Sequence, residues 1–220
     1  MKLAELLEIQ PGVTAIIGGG GKTSLMYHLA EELEGRVICC TTTKIWPPEA
    51  LPVVTGPAAA DLIDALKTYR TVCVGTKTTE GKLTAPALPM AQISALADYV
   101  LVEADGSKGR PLKAHAAHEP VVPKEANQTI LVVGLLGFGR PIAEAAHRPA
   151  LYARLAQTDE NAIAEPETAA RVIAEEDLHT RLFCNQAEEG RTAAAAALAS
   201  FLTCPVTCGS LREKWWRQIR

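Results

Sequence analysis

The fold of this chain is decided by nine consecutive residues, Ile16-Ile17-Gly18-Gly19-Gly20-Gly21-Lys22-Thr23-Ser24. An apolar run ends in glycines, and a lysine and two hydroxyl residues follow directly. Residues without a Cβ let the backbone turn tightly and point successive N–H groups toward an anion. The apolar spacing of residues 25–33 predicts a helix behind the loop, and its N-terminus would face the same anion. The stretch therefore predicts a strand, a phosphate-binding loop and a helix.

Each residue of this loop has a predicted role in binding a nucleotide. Gly18, Gly19, Gly20, Gly21 and Ser24 would contact the phosphates, and Lys22 would place a positive charge near the β- and γ-phosphates. The Thr23 hydroxyl would coordinate Mg²⁺. The usual motif, G-x-x-x-x-G-K-[ST], needs glycine at position 16, where this chain has isoleucine, so only G-x-x-G-K-T is present. The structural alternative is a glycine-rich turn that binds nothing.

Composition places the chain among globular proteins. It has 220 residues, of which 48% are hydrophobic and 21% charged, so we predict a single nucleotide-binding domain over residues 1–220. The net charge of −3 gives no reason to expect nucleic acid or an anionic membrane as a partner. The N-terminal segment lacks the features of a secretory signal, and no apolar run is long enough to span a membrane. These features predict a cytoplasmic protein.

The six cysteines are predicted to be buried thiols rather than disulfides. Four of them lie in apolar, strand-like runs. Cys204 and Cys208 are separated by three residues rather than two and lack a second pair, which argues against a metal or redox role.

Strand-like and helix-like segments alternate along the chain, which predicts an α/β fold. We expect a mostly parallel sheet with helices on both faces, as in the three-layer sandwich of P-loop NTPases. The predicted strands are Val13–Ile17, Arg36–Thr41, Thr71–Gly75, Asp98–Val102, Thr129–Val133, Arg181–Cys184 and a short one at Val206. The segment from Leu211 to Gln218 is predicted to form a terminal helix.

Charged residues follow one of these strands closely. Glu103 and Asp105 stand at its end, where a carboxylate could complete the Mg²⁺ shell or orient a water molecule. We therefore predict Lys22 and these two carboxylates as catalytic residues, and Thr23 with the same two carboxylates as metal ligands. Lys108, Arg110 and Lys113 come next and could neutralise the charge of a phosphorylated substrate. A solvated charged turn is the alternative.

Other polar residues follow other strands. Thr42 and Lys44 could contact Mg²⁺ or substrate, although threonine is also a common strand residue. His147 and Arg148 lie beyond a glycine-rich loop and could bind a small anionic substrate. Ligands of open α/β sheets bind outside the carboxyl ends of the strands, which is where these residues are expected.

The segment Asn185-Gln186-Ala187-Glu188 is similar to the base-reading N-K-x-D loop of GTPases. In that loop the asparagine holds the loop in place and the carboxylate accepts hydrogen bonds from guanine. Gln186 replaces the lysine here and Glu188 the aspartate, so ATP and GTP both stay open as cofactors, and a helix-capping turn is the alternative. We predict Asn185 as a nucleotide-binding residue.

Taken together, these motifs resemble the YqeC family. The resemblance rests on the loop at 18–23, on Thr-Thr-Thr-Lys-Ile at 41–45, on Glu-Ala-Asp-Gly-Ser-Lys-Gly-Arg-Pro-Leu-Lys at 103–113, on His-Glu-Pro at 118–120, on His-Arg-Pro at 147–149 and on Asn-Gln-Ala at 185–187. It implies an accessory protein of selenium-dependent molybdenum hydroxylases that matures their selenium or molybdenum cofactor. A molybdenum hydroxylase, or its cofactor, is then the implied partner. Glu188 departs from the aspartate usual in the family.

Three functions are compatible with this sequence. The first is a Mg²⁺-dependent P-loop NTPase that hydrolyses ATP or GTP slowly and couples this to cofactor maturation. The second is a nucleotide-dependent transferase or kinase that acts on a small acceptor. The third is a non-catalytic carrier that holds a pterin-nucleotide cofactor on its phosphate loop.

Overall fold

The structure, a computed structural model, describes residues 1–56, 58–188 and 190–220. The chain divides into two compact units. The first consists of Met1–Ile16, Thr23–Asp105 and Val121–Gln128, and the second of Ile17–Lys22, Gly106–Pro120 and Thr129–Arg220. The glycine loop thus belongs to the second unit up to Lys22, and the first unit resumes at Thr23. The prediction of a single domain stays a prediction.

Helices and strands alternate over most of the described chain. The helices are α1 (Leu3–Leu6), α2 (Lys22–Glu32), α3 (Ala59–Thr68), α4 (Met90–Ser94), α5 (Ile142–Ala145), α6 (Pro149–Leu155), α7 (Pro166–Glu176) and α8 (Thr192–Ser200), with a 3-10 turn at Leu135–Gly137. The strands are β1 (Gly12–Gly18), β2 (Val37–Thr41), β3 (Val53–Val54), β4 (Thr71–Val74), β5 (Thr76–Lys77), β6 (Leu83–Thr84), β7 (Tyr99–Glu103), β8 (Leu112–Lys113), β9 (Ala126–Gly134), β10 (Ala146–His147), β11 (Arg181–Asn185), β12 (Val206–Ser210) and β13 (Trp215–Gln218).

The first unit is built on a parallel sheet with the strand order β3-β4-β2-β7-β1. The residues of β2 and β4 are all buried, as expected of strands that are covered on both faces. In the register of β1 and β7, Ile16 pairs with Glu103. The end of the strand before the glycine loop therefore lies beside the first predicted carboxylate.

Helices cover both faces of this sheet. Alternate strand residues such as Ile38 and Cys40 share one face, and they belong to a buried cluster with Leu62 of α3 and Ile93 of α4. Cys39 lies on the opposite face, where it pairs in register with Cys73 beside Tyr27 of α2. The predicted α/β fold, with a mostly parallel sheet between two helical layers, is confirmed.

The second unit contains the strand order β9-β11-β12-β13. Strands β9, β11 and β12 are parallel, whereas β13 is antiparallel to β12. The predicted terminal helix is wrong, because residues 211–214 form a turn and Trp215–Gln218 form this last strand. Tryptophan favours strands, and Gly209 allows a close approach, since a Cβ there would lie 2.8 Å from the Trp216 Cα.

The cysteines are free thiols, as the sequence predicts. Cys39, Cys40, Cys73, Cys184 and Cys208 are buried, and Cys204 is partly exposed. Within the described ranges, no helix is both long and apolar enough to cross a membrane.

Candidate functional site

The glycine loop is packed so closely that each of its four positions excludes a side chain. A Cβ at Gly19 would lie 2.6 Å from the Arg110 carbonyl oxygen, and one at Gly20 would lie 2.6 Å from the Gly134 nitrogen. A Cβ at Gly21 would lie 2.5 Å from the Asn185 Nδ2, and one at Gly18 would collide with backbone of β9. Gly18, Gly20 and Gly21 also have positive φ angles, of 96°, 81° and 120°. Close backbone neighbours therefore require glycine at positions 18, 19 and 20, and the positive φ favours it at position 21.

Two amides of the loop are bonded to protein carbonyls. The Gly19 N–H donates to the Val132 oxygen at 2.9 Å, and the Gly20 N–H donates to the Arg110 oxygen at 3.2 Å. The expectation that successive amides point toward an anion is wrong for these two, because neighbouring backbone segments supply their acceptors. Helix α2 begins at Lys22, and the first four amides of a helix lack acceptors within it. An anion would therefore bind mainly at the start of α2, and the nucleotide-binding role of the glycines and Ser24 stays a prediction.

The Lys22 side chain folds back over the loop. The residue is only 4% exposed, and its Nζ donates to the Gly18 oxygen at 2.8 Å and to the Ser107 Oγ at 3.3 Å. Ser107 is a site residue that the sequence reasoning missed. Its position in the sequence, within residues 103–113 and two residues after Asp105, was the feature that could have identified it.

In the first unit, the Thr23 hydroxyl donates a hydrogen bond of 2.5 Å to the Glu103 Oε2. Glu103 is 6% exposed and Asp105 is fully buried. Among the described residues, no group of three or more His, Cys, Asp or Glu is arranged to hold a metal ion. Mg²⁺, however, usually takes one or two protein oxygens and completes its shell with water and substrate phosphates. The Thr23 and Glu103 oxygens fit that requirement, because both are hard ligands and adjacent.

Thr42 and Lys44 also lie in the first unit. The Thr42 amide donates to the Glu103 carbonyl at 3.1 Å, and its hydroxyl donates to the Val121 carbonyl at 2.8 Å. Lys44 is exposed. Thr42 therefore links two backbone segments near Glu103, and its predicted contact with substrate stays a prediction.

The segments around β8 and β10 contain four of the predicted substrate-binding residues, Arg110, Lys113, His147 and Arg148. They also contain Glu119, which was not predicted. Strands β8 and β10 pair so that Lys113 and His147 are register partners. Lys113 Nζ lies 3.1 Å and Arg148 Nε 3.0 Å from the same oxygen of Glu119, Oε2. Glu119 lies within the quoted His-Glu-Pro motif, which was the only signal for it. Arg110 is exposed and donates to the Glu144 carbonyl.

Two cations of this group, Lys113 and Arg148, share the Glu119 carboxylate. Lys113 also donates to the Gly106 oxygen at 2.6 Å, and its side chain has no exposed surface. Burial raises the pKa of Glu119, but hydrogen bonds from Arg148 and Lys113 outweigh it, so the pKa is lowered. Burial, followed by the charges of Lys113 and Arg148, lowers the pKa of His147. Lys108 and Arg110 are exposed, and His147 and Arg148 are half-buried.

Asn185 holds the glycine loop from the other side. Its Nδ2 donates to the Gly20 oxygen at 2.7 Å, and its Oδ1 accepts from the Leu211 amide at 3.1 Å. This agrees with the loop-holding role of the asparagine in the N-K-x-D pattern. Both polar atoms of the side chain are thereby engaged with backbone, so its contact with a nucleotide stays a prediction.

Comparison with known proteins gives a family assignment. A family model described as "YqeC protein" matches residues 14–150. "Uncharacterized protein YqeC" from Escherichia coli (strain K12) is 37% identical over 154 residues, which cover 66% of this chain and 60% of that relative. The alignment thus spans less than two thirds of the relative's length. The residues matched by the family model include the glycine loop, Glu103 and His147, but not Asn185.

Proposed function

The chain belongs to the YqeC family, and we propose that it binds a magnesium–nucleoside triphosphate and hydrolyses it slowly. The phosphates would lie at the start of α2, with Lys22 near the β- and γ-oxygens. Lys22 and Thr23 are consecutive in the sequence, as the lysine and the hydroxyl residue of a phosphate loop are.

The observation that carries this proposal is the 2.5 Å hydrogen bond between Thr23 and Glu103. In P-loop NTPases the hydroxyl that follows the loop lysine and a carboxylate from a neighbouring strand together hold Mg²⁺. Glu103 ends β7, the strand that pairs with β1, so both the residue types and their strand positions match. Thr23 and Glu103 would hold Mg²⁺, which would supply positive charge to offset that of the phosphates. Glu103 is the stronger candidate ligand, and the buried Asp105 would help to orient the attacking water.

The Lys22 ammonium could exchange acceptors in the protein for oxygens of the phosphates. Its described acceptors include the Gly18 carbonyl and the Ser107 hydroxyl, both neutral. A triphosphate oxygen is charged, and hydrogen bonds between charged groups are about twice as strong as neutral ones. The triphosphate oxygens would therefore compete with the Gly18 and Ser107 oxygens for the Lys22 ammonium, while the closely packed loop stays in place.

The coupled process is the maturation of the selenium or molybdenum cofactor of a molybdenum hydroxylase, as the family resemblance implies. The residues around β8 and β10 favour one further candidate, transfer of a phosphoryl group to a small anionic acceptor. Lys108, His147 and Arg148 would bind that acceptor, and Glu119 would hold Arg148 in position through their 3.0 Å contact. Hydrolysis in the absence of any acceptor distinguishes the first function from this one.

Thr23→Val is expected to remove the magnesium dependence of nucleotide binding. Valine has nearly the same shape but no hydroxyl. The nucleotide affinity measured in Mg²⁺ should therefore fall about tenfold, a loss typical of damage to a metal site, while the affinity in EDTA stays the same. The measurement is calorimetric titration with a non-hydrolysable triphosphate, in Mg²⁺ and in EDTA.

Thr68→Val, at the exposed end of α3, is the matched control and should behave as the unmodified protein does. A Thr23→Val protein that keeps the full difference between Mg²⁺ and EDTA would contradict the assignment of Thr23 as a metal ligand.

A further inference from the structure

We propose that Glu188 reads the base of the bound nucleotide and selects guanine over adenine. This inference rests on the proposed function, because it concerns the base of the same nucleotide. Residues 185–188 contact residues 209–212 on one side and the glycine loop on the other, and the inference rests on this arrangement.

Hydrogen bonds connect these three segments within the second unit. Asn185 bridges the Gly20 oxygen and the Leu211 amide, and the Ala187 amide donates to the Gly209 oxygen at 3.2 Å. The Gln186 side chain lies against Gly134, the glycine that also packs on Gly20. The loop that ends in Glu188 is therefore fixed beside the segment that would hold the phosphates.

The Glu188 carboxylate is itself held in one orientation. The residue is 8% exposed, and its Oε1 accepts a hydrogen bond of 2.5 Å from the Ser210 hydroxyl. The Ser210 oxygen accepts from the Glu213 amide at 2.9 Å, which leaves its proton for Glu188. The Arg212 Nε lies 3.5 Å from the same Oε1. A carboxylate restrained in this way is suited to recognition, because little conformational entropy is lost when a ligand binds.

Glu188 is ionised at neutral pH. Burial raises its pKa, but the hydrogen bonds from the Ser210 hydroxyl and from the Glu188 backbone N–H, followed by the charges of Arg212 and Arg191, outweigh burial, so the pKa is lowered from its ordinary value. An ionised carboxylate only accepts hydrogen bonds. The described contacts from Ser210 and Arg212 both engage Oε1, and an ionised carboxylate has about four lone-pair sites over its two oxygens.

Guanine and adenine differ most along the edge that such a group would face. Guanine presents two donors, the N1–H and the exocyclic amino group at C2, whereas adenine has an unprotonated N1 that repels a carboxylate. A site built to accept hydrogen bonds discriminates strongly, because adenine would set its unprotonated N1 against the carboxylate and supply no donor in place of the guanine N1–H. We expect GTP to bind at least about tenfold more tightly than ATP, as one bidentate base contact provides.

Glu188→Gln tests this role directly. A carboxamide offers one acceptor and one donor, which matches the N1–H and the C2 oxygen of xanthine. Calorimetric titrations with Mg²⁺ and GTP, ATP or XTP should show about a tenfold loss for GTP and about a tenfold gain for XTP. Glu213→Gln, on the turn at 211–214 and with a side chain that is 48% exposed, is the matched control and should keep the order of affinities of the unmodified protein.

The outcomes separate this inference from the function on which it rests. Equal affinities of the unmodified protein for GTP and ATP would overturn the inference and leave nucleotide binding intact. Binding of neither nucleotide would overturn the proposed function itself. A loss of GTP affinity in Glu188→Gln without a gain for XTP would show that Glu188 only ties the two loops together. Should that variant fail to fold, ITP, which lacks the C2 amino group, serves as the probe of the unmodified protein. About tenfold weaker binding of ITP than of GTP supports the inference, and equal binding overturns it.

Discussion

Gly20→Ala is expected to lower the free energy of unfolding by about 3 kcal/mol. A Cβ at this position would lie 2.6 Å from the Gly134 nitrogen and against the Gly134 Cα, and neither backbone atom can move aside like a flexible side chain. Overpacking of this kind costs about 1–3 kcal/mol. The positive φ of 81° adds a second cost, about 1 kcal/mol for a residue with a Cβ.

Gly139→Ala separates these two costs. Gly139 has nearly the same φ, 79°, but nothing lies within 4 Å of its hypothetical Cβ, so only about 1 kcal/mol should be lost. Urea denaturation of both variants and of the unmodified protein measures the difference. Equal destabilisation by the two alanines would contradict the conclusion that the loop glycines are required by close packing.

Lys22→Ala is expected to weaken nucleoside triphosphate binding by roughly 10- to 150-fold. Hydrogen bonds to charged groups contribute about 1.5–3 kcal/mol, and Lys22 is the cation that the loop itself positions, through contacts of 2.8 Å and 3.3 Å with Gly18 and Ser107. The measurement is equilibrium titration with a fluorescent, non-hydrolysable triphosphate, after circular dichroism has shown that the variant is folded.

Lys67→Ala provides the control for a general loss of positive charge. The Lys67 side chain is 71% exposed and pairs with Asp64 on α3, so the affinity should be unchanged. Unaltered binding by a folded Lys22→Ala protein would contradict every function that places a phosphate on this loop.

The parts of the fold that follow from local pattern could be predicted from the sequence. The run from Val13 to Ile17 is apolar and β-branched, and it is a strand in the structure because helices cover both faces of the sheet. The segment from Trp215 to Gln218 could not be predicted in the same way. Its spacing fits a helix, but β12 offers an edge with which these residues pair, and a pairing with a distant strand leaves no local signal.

The contacts of the candidate site also include some that could be predicted from the sequence and others that could not. The approach of Thr23 to Glu103 could be expected because parallel strands bring their carboxyl ends to one edge of a sheet. The pairing of the Gly19 amide with Val132 could not, since it depends on a strand more than 100 residues away. Glu119 was missed for a similar reason, because only the folded chain brings Lys113 and Arg148 to one carboxylate.

Magnesium-dependent nucleotide binding is tested most directly by calorimetric titration of the unmodified protein with non-hydrolysable GTP and ATP analogues, each in Mg²⁺ and in EDTA. We expect one binding site per chain, a higher affinity in Mg²⁺ and a thermal midpoint that rises with ligand concentration, as expected when a ligand binds only the folded state. The absence of both a binding heat and a thermal shift with either analogue at millimolar concentration would contradict this expectation.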